Sequence, residues 1–413
     1  LLIIPADKAM IADGLKQTLL DAGFALVGIA PAVSPLGLDR LHEWLQAGYA
    51  GEMSYIERRQ HAYAHPENVL PRVASIVMAA WNYQPQGSPD TLDESRQRGR
   101  IAAYAQLPED YHHWLKEKLQ PGILFLRKHF PNDRTRTAID TAPLLEREYA
   151  SLAGLGWFGK NTMLIDRQQG SYLLLASILT QTELPPDAPH QTQHCGNCTR
   201  CLEICPTDAF PQPGVLDATK CISYLTIELK GLPAEPLRKG IGPWLLGCDL
   251  CQDVCPWNTK RQKVWSRAQS ANDQQRTKLT DNETSEAALV EAESNPALFL
   301  TISEEAFQQR FGKTPLERPG RAGMARNAAI VLGNIGSFND WPAIEHGLAD
   351  SSAVVRSACA WAAVELALRE PLLKSIAETA LRNRLPLEDN SIETSATYRE
   401  LQAALDRLTI PPA

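Results

Sequence analysis

The 413-residue sequence predicts a multidomain α+β protein, and three observations carry that prediction. Helical periodicity and short apolar strands interleave over residues 1–185, two dense cysteine runs mark 186–260, and alanine-rich helical patterns fill much of 261–413. A chain of this length accommodates two or three cores, and those three spans are the predicted domains.

In the first span, Ala6 to Ala22 reads as a helix that Gly23 stops, and Phe24 to Ile29 as a short strand. Leu38 to Ala47 forms a second amphipathic helix, and Ser75 to Ala80 a buried strand. Asp110 to His129 is helical apart from an interruption at Pro121-Gly122. Arg136 to Ile139 is a strand leading into Asp140-Thr141-Ala142-Pro143, with Pro143 suited to a first helical turn. Leu145, Tyr149 and Leu152 then share one helical face. Thr162 to Ile165 and Ser171 to Leu179 flank Asp166–Gly170, which reads as a hairpin turn. Leu184 to Pro189 is a stiff linker, and Asn258 to about Ser285 a solvated connector.

The central span begins Cys195-Gly-Asn-Cys198-Thr-Arg-Cys201-Leu-Glu-Ile-Cys205-Pro206. Bacterial ferredoxins use this spacing to hold cubane iron–sulfur clusters, with the fourth cysteine directed to a second cluster. Cys248, Cys251 and Cys255, followed by Pro256, look like the last three members of the same pattern, and Cys221 is the candidate for the missing first. Cys195, Cys198, Cys201 and Cys255 then make one 4Fe–4S site, and Cys205, Cys221, Cys248 and Cys251 the other. Structural zinc is the competing reading of paired CxxC units. Cys359 stands alone in an apolar helical stretch and reads as core.

In the last span, Arg326-Asn-Ala-Ala and Arg356-Ser-Ala-Cys begin similar small-residue helices, an internal repeat of the kind that stacks in HEAT-like arrays. Arg310, Lys313, Arg318, Arg321 and Arg326 form a basic edge that suits phosphate contact or, equally, a solvated helix face. The net charge of −7 excludes bulk attraction to nucleic acid, so any such contact is local. No apolar run is long enough to span a membrane, and Leu1 to Pro5 has neither the basic region nor the apolar core of a signal peptide. Thiols arranged for oxygen-sensitive clusters place the chain in a reducing compartment, the cytoplasm.

Gly154-Leu-Gly156-Trp-Phe-Gly159-Lys160 matches a dinucleotide fingerprint but has a helix before it and a strand after it, the reverse of what that site needs. It is left as a loop whose backbone approaches something flat, or as a plain helix C-cap and turn. Asp140, at a strand-to-helix junction, is either a cap or a buried proton donor. Arg58 and Arg59 form an exposed pair or an anion clamp, and Tyr111-His112-His113 a helix surface.

Gly51-Glu-Met with Arg58, Asp110-Tyr111-His112, Asp140-Thr-Ala-Pro-Leu-Leu-Glu-Arg147, Gly156-Trp-Phe-Gly-Lys-Asn161-Thr and the cysteine runs with Lys220-Cys221-Ile-Ser-Tyr224 occur in fixed order. Over about residues 10–360, this set resembles the epoxyqueuosine reductases, which complete queuosine at the wobble position of tRNAs for aspartate, asparagine, histidine and tyrosine. The resemblance implies an α/β cobalamin-binding domain, a ferredoxin-like module with two 4Fe–4S clusters, and C-terminal HEAT-like repeats. Asp140 would be the proton donor. Corrin contacts would come from Arg58, Ala105, Asp140, Gly159, Lys160, Asn161, Ser171, Ser223 and Asp249. Lys220, Lys230, Arg318, Arg321 and Arg326 would meet the tRNA backbone. A monomer, served by an external electron donor and without membrane attachment, is implied. The absence of an Asp-x-His-x-x-Gly motif fits a base-off cofactor, whereas Gln106-Leu107-Pro108-Glu109 departs from a glycine-containing turn. Two competing readings are a cobalamin-dependent reductive dehalogenase, which typically carries a twin-arginine signal, and a ferredoxin-type carrier with a docking repeat. Cobalt together with iron in the purified protein separates the enzyme from the carrier.

Overall fold

The computed structural model describes residues 5–84, 99–107, 110–259, 294–388 and 395–409. The predicted connector lies outside the described residues from 260 onward, as do Pro108 and Glu109. In chain order the elements begin α1 (Pro5–Asp21), β1 (Leu26–Pro31), α2 (Leu38–Gln46), α3 (Ser54–Arg58), α4 (Gln60–Tyr63), β2 (Ser75–Asn82), β3 (Arg100–Ile101) and α5 (Tyr111–His129). Then come β4 (Thr135–Ala138), α6 (Glu146–Leu152), β5 (Trp157–Phe158), β6 (Leu164–Ile165), β7 (Leu173–Thr180), α7 (Arg200–Glu203), α8 (Ile222–Ile227), α9 (Glu235–Ile241), β8 (Trp244–Leu246) and α10 (Leu250–Asp253). The last are α11 (Pro296–Thr301), α12 (Glu304–Phe311), α13 (Gly320–Ile335), α14 (Trp341–Gly347), α15 (Ala353–Arg369), α16 (Lys374–Arg384) and α17 (Ser395–Thr409). They gather into two compact units, one from residues 1–88, 109–219 and 250–273, the other from 89–108, 220–249 and 274–413.

The first unit is built on a sheet in the order β1-β2-β7-β4. Every pairing in it is antiparallel, which makes the domain α+β rather than the α/β form expected. Successive side chains of β2 point to opposite faces. Val77 and Ala79 meet Leu15 and Leu19 of α1 and Leu115 and Leu119 of α5. Ile76, Met78 and Ala80 meet Tyr149 and Ala150 of α6 and Leu155. With both faces covered, Ile76 to Ala80 are apolar on both faces. Each fully buried Leu or Ile contributes roughly 1.5–3 kcal/mol.

Four expectations change here. Helix α5 runs unbroken through Pro121, because Gly122 lets it press onto Leu19 and Ile178, a contact that compensates for the missing backbone bond. Pro143 does not open a helix, since α6 starts only at Glu146. The turn at Asp166–Gly170 closes as an antiparallel bridge, but the pairing stops there, since β6 pairs with β5 while β7 joins the main sheet. The supposed linker is pinned: Asp187 exchanges bonds with the backbone of Ile29 and accepts from Lys16 Nζ at 2.8 Å.

The second unit pairs β3 with β8 in parallel and adds the C-terminal helices. The small-residue helices α13 and α15 pack closely, and a side chain at Gly333 would strike the Trp361 ring. Cys359 is fully buried, and burial pushes its thiol up. The basic edge is a correction. Arg326 lies inside α13, not at its start, is 0% exposed, and donates to the carbonyls of Leu225, Leu229 and Gly231. Arg321 is held bidentately by Asp350 at 2.8 and 2.9 Å. Of the three arginines expected to meet RNA, Arg318 keeps an exposed side chain, though Glu228 accepts from its Nε at 2.7 Å. No described helix is long and apolar enough to cross a membrane.

Candidate active site and cluster ligands

Asp140 follows β4 with φ +54°, a left-handed conformation that costs a non-glycine residue on the order of 1–3 kcal/mol. Its backbone N–H donates to Glu146 Oε1 at 2.9 Å, and the Thr141 N–H closes a tight turn onto Ile139 O. Arg59 Nη1 donates to Thr141 O at 3.0 Å, so Arg59 is the arginine that braces this loop, while Arg58 stands exposed at the end of α3. Tyr111 Oη donates to Asp140 Oδ2 at 3.0 Å. The carboxyl is thus oriented, yet its side chain stays 59% exposed.

The bracing comes from the start of α5, where Asp110 caps the helix by accepting from the His112 N–H at 2.9 Å. The same Asp110 oxygen lies 2.6 Å from His112 Nδ1, which assigns that nitrogen the proton. His112 Nε2 is buried, has no hydrogen-bond partner among the described residues, and faces Asp140 Oδ2 at 3.6 Å. Burial pulls the imidazole down, but Asp140 and Asp110 outweigh it and raise it above the ordinary histidine value. His112 is therefore a member of the site and not the plain helix-surface residue expected. Glu146 keeps some exposed surface as a residue, but burial of its carboxyl, followed by the Asp140 charge, pushes it up to about 8.

The thiols form the second feature of this unit. Burial and the neighbouring Cys255, Cys195 and Cys198 push Cys201 up to about 11, which places all four within electrostatic reach of one another. Burial raises Cys255 as well, while the backbone N–H groups of Trp257 and Asn258 act against it by donating to its sulfur. Cys205 Sγ accepts from the Ala209 N–H at 3.4 Å. Among the described residues no His, Cys, Asp or Glu group is gathered tightly enough for a single metal ion. Four mutually coupled thiols with N–H donors suit the wider spread of a cubane, whose iron would hold them as thiolates.

The glycine loop serves these runs. Lys160 Nζ donates to Gly196 O at 2.8 Å and Cys198 O at 2.9 Å, and Asn161 Nδ2 to Cys251 O at 3.2 Å. Ser171 is buried, donates through Oγ to Gln252 and through N–H to Asn258 Oδ1. Gly159 sits where a side chain would strike Asn161 and Ile165. In the second unit, Cys221 precedes α8, which carries Ser223. There Asp249 is buried and its Oδ2 accepts from the Ala103 N–H at 2.7 Å, fixing the Ala103–Gln106 turn that carries the buried Ala105.

Comparison with known proteins adds the following. Residues 194–258 match the family described as 4Fe-4S double cluster binding domain, and residues 64–141 the family described as Epoxyqueuosine reductase QueG, DUF1730. Epoxyqueuosine reductase of Xanthomonas campestris pv. campestris is 38% identical over 362 residues, covering 86% of this chain and 96% of the relative. That of Escherichia coli is 35% identical over 332 residues, covering 80% and 83%. A crystal structure of epoxyqueuosine reductase with an epoxyqueuosine-modified tRNA-Tyr stem loop superposes with a TM-score of 0.80 at 27% identity, covering 97% of this chain and 99% of that one. Another, from Bacillus subtilis, has its catalytic aspartate loop swung out of the active site, with a TM-score of 0.77 at 28% identity and coverage of 97% and 99%.

Proposed function

Since the chain belongs to the epoxyqueuosine reductase family, we infer that it reduces epoxyqueuosine to queuosine at the wobble position of tRNA, with Asp140 as the proton donor. The reaction breaks both C–O bonds of the epoxide, restores a carbon–carbon double bond and releases the oxygen as water, consuming two electrons and two protons. The carrying observation is the Asp140 carboxyl itself, oriented by Tyr111 and His112 yet open to a ligand.

Asp140 delivers a proton to the departing oxygen, the work of a general acid. His112, favoured in its charged form, stands 3.6 Å away to return a proton to the spent carboxylate. Glu146, largely neutral near pH 7, tethers the Asp140 backbone without setting a second negative charge beside the oxygen that is leaving. Cys195, Cys198, Cys201 and Cys255 would hold one iron–sulfur cluster and Cys205, Cys221, Cys248 and Cys251 the other, and these would supply the electron relay.

Cobalamin is the proposed final donor, and an oriented, solvent-open carboxyl fits a corrin-bound reaction that needs a proton source. When bound, cobalamin would supply the two electrons of the reduction. Arg58, Gly159, Ser223 and the Ala105 backbone would hold the corrin, with Asp249 fixing the Ala105 turn. Lys160, Asn161 and Ser171 would contribute backbone or shape, since their side chains are engaged with the cysteine-bearing segments. Lys220, Lys230 and Arg318 are the proposed tRNA backbone contacts, with the C-terminal helices as HEAT-like repeats that carry Arg318. The protein would act as a cytoplasmic monomer with an external electron donor. Incubation with epoxyqueuosine-containing RNA, a strong reductant and added cobalamin should yield queuosine on nucleoside analysis. Equal yield without cobalamin would remove the corrin, and no yield with fully loaded protein would remove the activity.

A further inference from the structure

Trp157 is 2% exposed, and its indole Nε1–H has no hydrogen-bond partner among the described residues. Leaving such a buried donor unpaired is unfavourable, and a phenylalanine would pack here without that cost. The position is not loose. Trp157 pairs with Ile165 in the β5–β6 ladder, and its ring packs in one cluster with Ile165 and Cys255, against which Cys195 and Trp257 also lie. His190 stacks on it at 5.4 Å, and His194 and Trp257 meet it edge-on at 4.8 and 5.2 Å. The orphan donor therefore sits in an aromatic box, one wall of which is two of the four coupled thiols.

We propose that the Trp157 indole N–H donates a hydrogen bond to a sulfur of the cluster held by Cys195, Cys198, Cys201 and Cys255 and raises that cluster's reduction potential. This rests on the ligand assignment made above. A sulfur carrying negative charge is the acceptor missing from the box. Because reduction adds a further electron to the cluster, a donated hydrogen bond favours the reduced state.

The test uses the full chain, reconstituted anaerobically with iron and sulfide, as wild type and as Trp157→Phe. Roughly eight iron per chain in the wild type supports the two-cluster assignment on which the proposal stands, and loading without the cubane spectrum removes both together. With both proteins loaded, potentiometric titration followed by electron paramagnetic resonance should move one midpoint to a more negative value in Trp157→Phe and leave the other in place. Two unmoved midpoints overturn the hydrogen bond while leaving the ligands intact. If Trp157→Phe fails to load, Trp257→Phe carrying 15N-indole tryptophan decides. Hyperfine coupling between an indole nitrogen and a reduced cluster supports Trp157, and its absence overturns the proposal.

Discussion

The thiol nest and the Asp140 loop lie in the same unit and are built in opposite ways. Three of the four thiols in the nest sit within seven residues, Cys195 to Cys201, so local spacing nearly fixes the ligand set. The Asp140 site joins the start of α5, the turn after β4 and the start of α6 through hydrogen bonds to an exposed residue in a left-handed conformation. The first is held by the chemistry of its ligand and the second by weak contacts. The nest should fail all at once, and the loop by degrees.

The sharpest break is Cys255→Ser. Losing one of the ligands proposed for the first cluster should lower iron by about half and take tRNA turnover below detection. Iron analysis checks it, and full iron with normal turnover would dissolve the contrast. Next comes His112→Gln, with a fall in single-turnover rate of about 10-fold, the size of one charge-assisted interaction. The wild-type rate should decline as pH rises through the raised His112 value, and that limb should vanish in the variant.

Arg326→Ala leaves buried carbonyls of Leu225, Leu229 and Gly231 without their donor and should cost about 3 kcal/mol, read from denaturant unfolding, with the salt dependence of tRNA binding unchanged. Arg318→Ala should do the reverse, altering stability by less than about 0.5 kcal/mol and reducing the salt slope by about one. The last effect, read against pH, is in Glu146→Gln. A carboxyl raised from its ordinary value to about 8 favours the folded state most below the unfolded value and loses that advantage as pH rises toward 8. The amide keeps an acceptor for the Asp140 N–H, so the variant should gain on wild type by about 1.4 kcal/mol per pH unit as pH rises from 5 toward 8. Thermal melts across that range check it.

What could be read directly from the residues follows the same division. Cysteine spacing and the strand before Asp140 are local patterns, and both were legible. The side-chain bonds of Lys160, Asn161 and Ser171 to the cysteine-bearing segments were not legible, because their partners lie 38, 90 and 81 residues away. Arg326 read as surface because helical periodicity does not reveal which face a second element will cover, and its acceptors lie 95 to 101 residues earlier. His112 read as bland for the same reason. Asp140 lies beyond the helix it opens. The antiparallel sheet was hidden because a strand buried on both faces has the same apolar run in either orientation.

The most direct test of the central claim is single-turnover reduction of epoxyqueuosine-containing tRNA by Asp140→Asn protein carrying full iron and cobalamin. The amide preserves shape and an acceptor for Tyr111 but has no acidic proton, so queuosine formation should slow by about 10²–10⁴-fold while cluster spectra and tRNA affinity stay as in the wild type. A rate within about twofold of wild type in that loaded protein would contradict the assignment of Asp140 as proton donor.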